Sequence, residues 1–174
     1  IYTMQVGDVK CWDILQPNLY DVTYELLDGN AVIDTVQSYF GFRTVELREH
    51  SLWLNGRPIF QRLVLDQGYY PDGVYTAPTD ADLKRDIELS IALGFNGARL
   101  HQKVFEERFL YWADRLGYLV WGEQASWGLD ITTSEGSSTF CRNGWRLLRA
   151  IGTTLHHRLV PFQRNVGSRP PPRG

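Results

Sequence analysis

Cysteine is scarce in this chain, which has only Cys11 and Cys141 among its 174 residues. Two distant cysteines form neither a disulfide framework nor the paired spacing of a structural zinc site. Two adjacent pairs of candidate ligands also lack the helical spacing at which two side chains bind one metal, and these are Glu106-Glu107 and His156-His157. The sequence therefore predicts no metal site and no cofactor.

Long hydrophobic runs and charge of one sign are missing as well. No apolar run approaches the length that spans a membrane, and 18 basic residues nearly balance 20 acidic ones, for a formal net charge of −2. Because the charges are interspersed, neither a membrane surface nor nucleic acid is predicted as a partner. The N-terminus has no signal-peptide hydrophobic segment and no initiating Met, so a cytoplasmic location is the default expectation.

Residues 61–123 contain three short apolar runs separated by two helix-like segments, around which the rest of the chain is organised. The first helix is predicted to start with Thr79 or Asp80 as its N-cap and to stop at Gly94, and the second covers about residues 105–116. Helices that alternate with short strands indicate a parallel sheet, but periodicity alone does not separate an open doubly wound sheet from a barrel. The predicted apolar faces are Leu83, Ile87 and Ile91 in the first helix, and Phe109, Trp112, Ala113 and Leu116 in the second.

Polar side chains follow each of the three predicted strands. Asp66 and Gln67 come after the first strand, Arg99 and His101 after the second, and Glu123 ends the third. The carboxyl ends of parallel strands meet at one edge of the sheet, which is where a (β/α)8 barrel builds its site. No glycine-rich phosphate-binding motif follows the first strand, so a dinucleotide-binding fold is disfavoured. The pattern favours a barrel.

Four motifs in one order make this region similar to a known family. LDQGYYPDGVYTAP, GFNGARLHQK, RFLYWADRLG and LVWGE resemble the opening of the catalytic barrel in family 2 glycoside hydrolases, the group of β-galactosidases, β-glucuronidases and β-mannosidases. The resemblance extends from about Trp12 to Glu123. It implies an α/β fold in which the end of an immunoglobulin-like β-sandwich precedes an incomplete TIM (β/α)8 barrel.

The resemblance divides the chain into three parts. Residues 1–48 are predicted as the C-terminal strands of the sandwich, residues 49–130 as the first part of the barrel, and residues 131–174 as an irregular tail. A generic sandwich edge would fit the first part almost as well.

Two hairpins and a link are predicted in the β-rich first part of the chain. Asp28-Gly29-Asn30 is a hairpin turn between two strand-like segments, and Asn55-Gly56 is a second one between two short apolar runs. Arg48-Glu49-His50 is predicted to link the sandwich to the barrel.

The catalytic carboxylates of the family are not found in this sequence. Retaining glycosidases need an acid/base and a nucleophile whose carboxyl groups lie about 5–5.5 Å apart. In the family the acid/base Glu follows an Asn on the fourth barrel strand and the nucleophile Glu lies on the seventh. Because no Asn-Glu pair follows Glu123, no catalytic residue is predicted in this chain.

The remaining site residues are predicted to support the site or to bind the sugar. Arg99 matches the family arginine that lies near the nucleophile and holds it ionised, although a structural ion pair is the alternative. Glu123 matches the supporting acidic residue of the third strand, with Arg99 or Arg62 as its expected partner. His101 follows Arg99 with one residue between them, whereas relatives place a sugar-contacting His three positions later, so a sugar contact and a loop role are both open.

The loop after the first predicted strand supplies further candidates for sugar binding, whereas the acidic residue Asp114 is not predicted to belong to the site. Asp66, Gln67 and Tyr69 could hydrogen-bond a sugar from the loop after the first strand. Asp114, on the flank of the second helix, is predicted to be a solvated or paired charge rather than part of the site.

The tail is predicted to have lost its family sequence through a shift of reading frame. Residues 132–139 are predicted as a loop, Trp145 to Ile151 as one or two helical turns, and the Pro- and Arg-rich end as disordered. Codons for residues 154–167, TLHHRLVPFQRNVG, can spell a motif resembling the family sequence PSIVAWCPFNETWG when the frame moves one base downstream. Gln163 and Arg164 then overlie the missing Asn-Glu pair.

Three functions are weighed on these grounds. By resemblance, the parent activity is retaining hydrolysis of O-glycosyl bonds in β-linked sugars, β-galactosidase-like, with this chain truncated and inactive. The alternative is a non-catalytic carbohydrate-binding or interaction module that keeps the aromatic first loop. The third is a misfolding-prone fragment without function, because three barrel strands leave two sheet edges open. A β-glycoside is the expected partner, and the oligomeric state is left open.

Overall fold

The structure is a computed structural model that describes residues 5–151. The strands in this part of the chain are β1 (Tyr20–Asp28), β2 (Ala31–Phe40), β3 (Val45–Arg48), β4 (Ser51–Leu54), β5 (Arg57–Ile59), β6 (Leu63–Asp66), β7 (Gly97–Leu100) and β8 (Leu119–Trp121). The helices are α1 (Asp80–Ala92), α2 (Glu107–Leu116) and α3 (Ser134–Ile151). The strands pair into a β1–β2 hairpin, an antiparallel sheet β3–β4–β5 and a sheet β6–β7–β8.

The β1–β2 hairpin confirms the first turn predicted from the sequence. The two strands pair antiparallel along their whole length, and Gly29 makes the turn with a left-handed φ of +62°. Side chains alternate along a strand, so the hairpin has one polar and one apolar face. The apolar face includes three exposed side chains, Tyr24, Leu26 and Val36.

The second hairpin is also confirmed, and the residues predicted as a link before it lie in a turn between two paired strands. Asn55 and Gly56 both have a positive φ, +50° and +75°, as a two-residue hairpin turn between β4 and β5 requires. Arg48 is the last residue of β3, which pairs with β4, and Glu49 has a φ of +52° in the tight turn between them. Glu49 and His50 therefore form a third hairpin turn, and the role of this segment as a link between sandwich and barrel stays a prediction.

The parallel sheet is confirmed in the predicted strand order. Strand β6 pairs parallel with β7, and β7 pairs parallel with β8, so α1 and α2 are the crossover helices. Gly97 lies in the middle strand, between Leu63 and Leu119. A Cβ atom at Gly97 would lie 2.4 Å from the Leu119 carbonyl oxygen, so only glycine fits there without displacing the backbone.

Helix α1 has the predicted start, but its apolar face is shorter than predicted. The Thr79 hydroxyl accepts the backbone N–H of Asp82 at 3.3 Å, which makes Thr79 the N-cap. Leu83 and Ile87 are buried. Ile91 was predicted to lie on the same face but is exposed, because the apolar cluster that covers the other two does not extend to the last turn.

Helix α2 begins at Glu107, slightly later than predicted, and its buried face is formed by Phe109 and Ala113. It ends at Gly117, whose φ of +73° is the left-handed conformation of a glycine C-cap. A Cβ atom at Gly117 would lie 2.6 Å from the carbonyl oxygen of Ile14, so the end of α2 packs directly on the N-terminal segment.

Two apolar clusters hold these elements together. The first lies between the parallel sheet and its two helices and consists of Leu83, Ile87, Ala98, Leu100, Phe109, Ala113 and Tyr118. The second joins three distant segments through Trp12, Leu54 and Leu119. Because Leu119 belongs to β8, the second cluster connects the antiparallel β region to the parallel sheet.

Helix α3 corrects the prediction of a loop over residues 132–139, and it includes the helical turns predicted for Trp145 to Ile151. The Ser- and Thr-rich segment 132–139 was predicted as a loop, yet the helix begins at Ser134. The Thr133 hydroxyl accepts the backbone N–H of Gly136 at 3.0 Å, which is an N-cap contact. Asp130 orders the preceding turn by accepting hydrogen bonds from the N–H and hydroxyl of Thr132. Local capping thus overrides the loop-like composition.

Candidate functional site

The parallel sheet brings three predicted residues to one edge. Asp66 is the last residue of β6 and lies opposite Leu100 of β7, while Arg99 lies opposite Trp121 at the end of β8. Glu123 follows β8 by two residues. The three side chains therefore belong to the carboxyl-terminal edge of the sheet, as the sequence predicted.

Arg99 and Glu123 form an ion pair, which confirms the first of the two partners expected for this carboxylate. The Arg99 Nε–H donates to Glu123 Oε1, and Glu123 is the more buried partner. The second oxygen, Oε2, accepts the backbone N–H of Gln102 at 3.2 Å. Glu123 is thus held from two sides, by a guanidinium and by a backbone N–H.

Gln102 is a site residue that the sequence analysis missed. Its φ of +61° is uncommon for a residue with a side chain, and this conformation directs its N–H towards Glu123. Its Oε1 accepts the backbone N–H of Ser126 at 2.9 Å, which connects the loop after β7 to the loop after β8. No sequence pattern indicates these two contacts of Gln102, because both depend on the local backbone conformation.

Asp66 is engaged by its own loop. Its Oδ1 accepts the backbone N–H of Gly68 at 2.7 Å, and its backbone oxygen accepts the N–H of His101 at 2.8 Å. Burial raises the pKa of Asp66 above its ordinary range, and the Gly68 hydrogen bond opposes that rise. Its two neighbours in the loop, Gln67 and Tyr69, are exposed and accessible to a ligand.

Lys103 was also missed, and it fixes the first loop to the second. Its ammonium donates to the carbonyl oxygen of Gly68 at 3.1 Å and lies 4.2 Å from the ring centre of Tyr75 and 4.6 Å from that of Phe105. Burial lowers the pKa of Lys103, and the nearby Asp66 carboxylate opposes that shift. The Tyr75 ring also meets Tyr69 edge to face at 6.1 Å, so the loop presents two exposed aromatic rings side by side.

Asp114 lies away from this edge, and of the two alternatives predicted for it, a solvated or a paired charge, the structure excludes the solvated one. It is only 8% exposed and accepts a hydrogen bond from the Tyr39 hydroxyl at 3.0 Å. Burial raises the pKa of Asp114 to about 7, against the attraction of Arg43 and the Tyr39 hydrogen bond. No local sequence pattern indicates this burial, because the covering residues come from the distant N-terminal segment.

The arrangement at the sheet edge can bind and orient a polar ligand, but its carboxylates are already engaged. Asp66 is bonded to a backbone N–H and Glu123 to a guanidinium, so neither is an unpaired acid or nucleophile. Within residues 5–151 no cluster of acidic, His and Cys side chains is suited to hold a metal ion. No described helix combines the length and apolarity needed to cross a membrane.

In α/β proteins, charged and aromatic side chains at the carboxyl ends of parallel strands are typical of a ligand-binding or active site. Residues 1–43 match the family described as Glycosyl hydrolases family 2. The chain is 33% identical over 122 residues to a β-galactosidase of Vibrio vulnificus, in an alignment that covers 70% of this chain and 12% of that protein. The chain belongs to glycosyl hydrolase family 2.

Other relatives extend this similarity. A β-glucuronidase of Streptococcus agalactiae is 28% identical over 148 residues, which is 83% of this chain and 24% of that protein. The crystal structure of a family 2 β-galacturonidase from Eisenbergiella tayi, bound to galacturonate, has a TM-score of 0.71 at 25% identity and covers 86% of this chain and 26% of that chain. The present chain thus spans a quarter or less of the length of these two curated relatives.

Proposed function

We propose that this chain is part of a retaining β-glycosidase with β-galactosidase-like activity. In this proposal residues 1–48 complete an immunoglobulin-like sandwich, and residues 49–130 supply the first three strands of a TIM barrel. The observation that carries the proposal is the Arg99–Glu123 ion pair at the carboxyl ends of parallel strands, within a region similar to named β-galactosidases. Polar groups at these strand ends are where barrel enzymes bind and transform their substrates.

The proposed role of Glu123 is to hold Arg99 in place rather than to attack the sugar. Both of its carboxylate oxygens are engaged, Oε1 by the Arg99 Nε–H and Oε2 by the backbone N–H of Gln102. Arg99 in turn keeps donor groups beyond its Nε–H, and in the complete site these would face the nucleophile. Asp66, Gln67, Tyr69 and His101 are proposed to surround the sugar.

The chain on its own is proposed to be truncated and catalytically inactive. Its sequence has no Asn-Glu pair after Glu123, and within the described residues Asp66 and Glu123 at the sheet edge already have hydrogen-bond partners. Without these groups the covalent intermediate and the proton transfers are lost together.

The coding DNA tests why the acid/base is absent. Residues 154–167 lie outside the described residues, so the proposed frame shift rests only on the codons that could encode them. We expect the nucleotides under Gln163 and Arg164, taken one base downstream, to encode Asn-Glu, and the open frame to continue from there. Expression of that corrected frame is expected to yield turnover of an aryl β-galactoside. If the shifted codons encode anything other than Asn-Glu, the frame-shift explanation is wrong.

A non-catalytic carbohydrate-binding module is the second candidate, and the exposed Tyr69 and Tyr75 rings favour it. The flat apolar face of a pyranose packs well on such rings. Saturable binding of methyl β-galactoside, followed by chemical-shift changes, is expected to weaken roughly 30-fold in Tyr69→Ala, the loss typical of an aromatic contact worth about 2 kcal/mol.

The matched control for this binding test is Tyr24→Ala. Tyr24 is 61% exposed and Tyr69 is 65% exposed, but Tyr24 belongs to the β1–β2 hairpin, away from the sheet edge. Equal losses of affinity in the two variants would exclude the first loop as the sugar site. Absence of any saturable binding in the parent chain would leave the functionless fragment as the better description, in line with the uncovered apolar face of the hairpin.

A further inference from the structure

The N-terminal β region meets helix α2 through a buried polar cluster, which we call the Asp114 junction and define as Trp12, Tyr39, Arg43 and Asp114. Asp114 is the acidic member, and it is contacted from two sides. The Trp12 indole N–H donates to the Asp114 backbone oxygen at 2.7 Å, and the Tyr39 hydroxyl donates to Asp114 Oδ2 at 3.0 Å. Both donors come from segments more than 70 residues earlier in the chain.

Arg43 completes the junction as a half-buried cation. Its guanidinium lies over the Trp12 ring at 4.8 Å, and its Nε is buried without a hydrogen-bond partner among the described residues. Burial lowers the pKa of Arg43, and the attraction of Asp114 opposes that shift. The attraction between Arg43 and Asp114 opposes the desolvation of the carboxylate but does not cancel it, so on balance burial favours the neutral form of Asp114.

Further charged and titratable groups surround the junction. Arg115 of α2 lies 5.1 Å from the Tyr39 ring centre and donates to Asp21 of β1 at 2.8 Å. The Tyr111 ring meets Tyr39 edge to face at 5.7 Å. Burial, followed by the Asp114 charge, raises the pKa of Tyr39, so Tyr39 stays a hydroxyl donor throughout the neutral range. Asp114 is therefore the group of this cluster that changes charge near neutrality.

We propose that the Asp114 junction is a pH-sensitive latch, tight when Asp114 is neutral and weakened when it ionises, between the N-terminal β region and helix α2. This inference does not depend on glycosidase activity. The geometry supports it because two hydrogen bonds from the N-terminal β region converge on Asp114, and Gly117 brings the same end of α2 against the backbone of Ile14.

The direction of the pH effect follows from the pKa of Asp114, which is raised to about 7 in the folded protein. An aspartate in the unfolded chain titrates near 3.9. The folded state therefore holds the proton more tightly, and the stability due to neutral Asp114 is complete below the unfolded value and is lost as the pH rises through about 7. The junction is expected to be tight at pH 5.5 and weaker at pH 8.

The test follows the indole N–H resonance of Trp12 by NMR between pH 5 and 9 in the full chain. In the parent protein this resonance is expected to shift with a midpoint near the raised pKa of Asp114, about 7. In Asp114→Asn, which keeps the shape and an acceptor for Tyr39 without a titrating group, it is expected to stay constant. The thermal midpoint should likewise fall less between pH 5.5 and 8 in this variant than in the parent.

Asp86→Asn is the matched control, because Asp86 also accepts a tyrosine hydroxyl, that of Tyr70 at 2.7 Å, but is exposed on α1. In Asp86→Asn the Trp12 indole resonance is expected to titrate with the same midpoint as in the parent. Should Asp114→Asn not fold, Tyr39→Phe provides a second test, since removal of the hydroxyl that favours the carboxylate should move the midpoint upwards. A Trp12 resonance that does not titrate in the parent, or that titrates alike in the parent and Asp114→Asn, overturns the proposal, as does an unmoved midpoint in Tyr39→Phe.

Discussion

Replacement of Phe109 by Ala is expected to lower the free energy of unfolding by about 3–5 kcal/mol, the usual cost of removing a buried aromatic side chain. Phe109 is 1% exposed at the centre of the cluster between the parallel sheet and its helices, and its ring lies 4.7 Å from that of Phe105. A loss of this size is a large share of the stability of a small domain. Urea unfolding followed by circular dichroism would measure it.

Phe60→Ala is the control for this experiment. Phe60 is 79% exposed, so the same truncation is expected to change the free energy of unfolding by no more than about 0.5 kcal/mol. If the two variants lost equal stability, or if the parent chain showed no cooperative transition, the parallel sheet and its helices would not form the packed unit described above.

Trp12→Ala is also expected to lower the free energy of unfolding by about 3–5 kcal/mol, for two reasons. Trp12 is 0% exposed and, with Leu54 and Leu119, forms the cluster that joins the antiparallel β region to the parallel sheet. Its indole N–H also satisfies the Asp114 backbone oxygen, which truncation leaves buried and unpaired.

The control for the second cluster is Trp127→Ala, at a tryptophan that is 82% exposed. This variant is expected to be nearly neutral, whereas Trp12→Phe, which keeps most of the apolar volume, should lose about 1–3 kcal/mol through the unpaired carbonyl. Thermal unfolding of Trp12→Ala, Trp12→Phe and Trp127→Ala at one pH would rank their losses of stability. An equal effect of Trp12→Ala and Trp127→Ala would mean that the N-terminal segment does not pack on the sheet.

The parts of the fold predicted from the sequence are those fixed by local chemistry. Asn55-Gly56 and Gly29 supply the positive φ angles that tight hairpins need, and Thr79 supplies the side-chain acceptor that starts α1. These requirements are met within a few residues, so they are visible without the tertiary structure. The parallel order of β6, β7 and β8 followed from the two intervening helices for the same reason.

The parts that could not be predicted depend on contacts between distant segments. Asp114 has the sequence neighbours of an exposed helix position, and only the approach of Trp12 and Tyr39 buries it. Ile91 has the spacing of a core residue, but the cluster does not extend far enough to cover it. Periodicity shows which face of a helix is apolar, not how far along the helix that face is covered.

The candidate site was predicted only in part, for a related reason. Arg99 and Glu123 were found because strand ends of a parallel sheet converge, and their ion pair follows from that geometry. Gln102 and Lys103 were not found, since their contacts depend on a left-handed backbone and on the path of two loops. The proposed roles of the site residues in sugar binding stay predictions.

Turnover of aryl β-glycosides by the purified chain tests the central claim most directly. The claim is that Arg99 and Glu123 support a glycosidase site whose catalytic carboxylates this sequence does not supply. We expect no release of aryl alcohol from β-galactoside, β-glucuronide or β-mannoside substrates above the rate of buffer alone, in the parent chain and in Glu123→Gln alike. Turnover by the parent chain that Glu123→Gln abolishes would contradict the account, because Glu123 would then be a catalytic carboxylate.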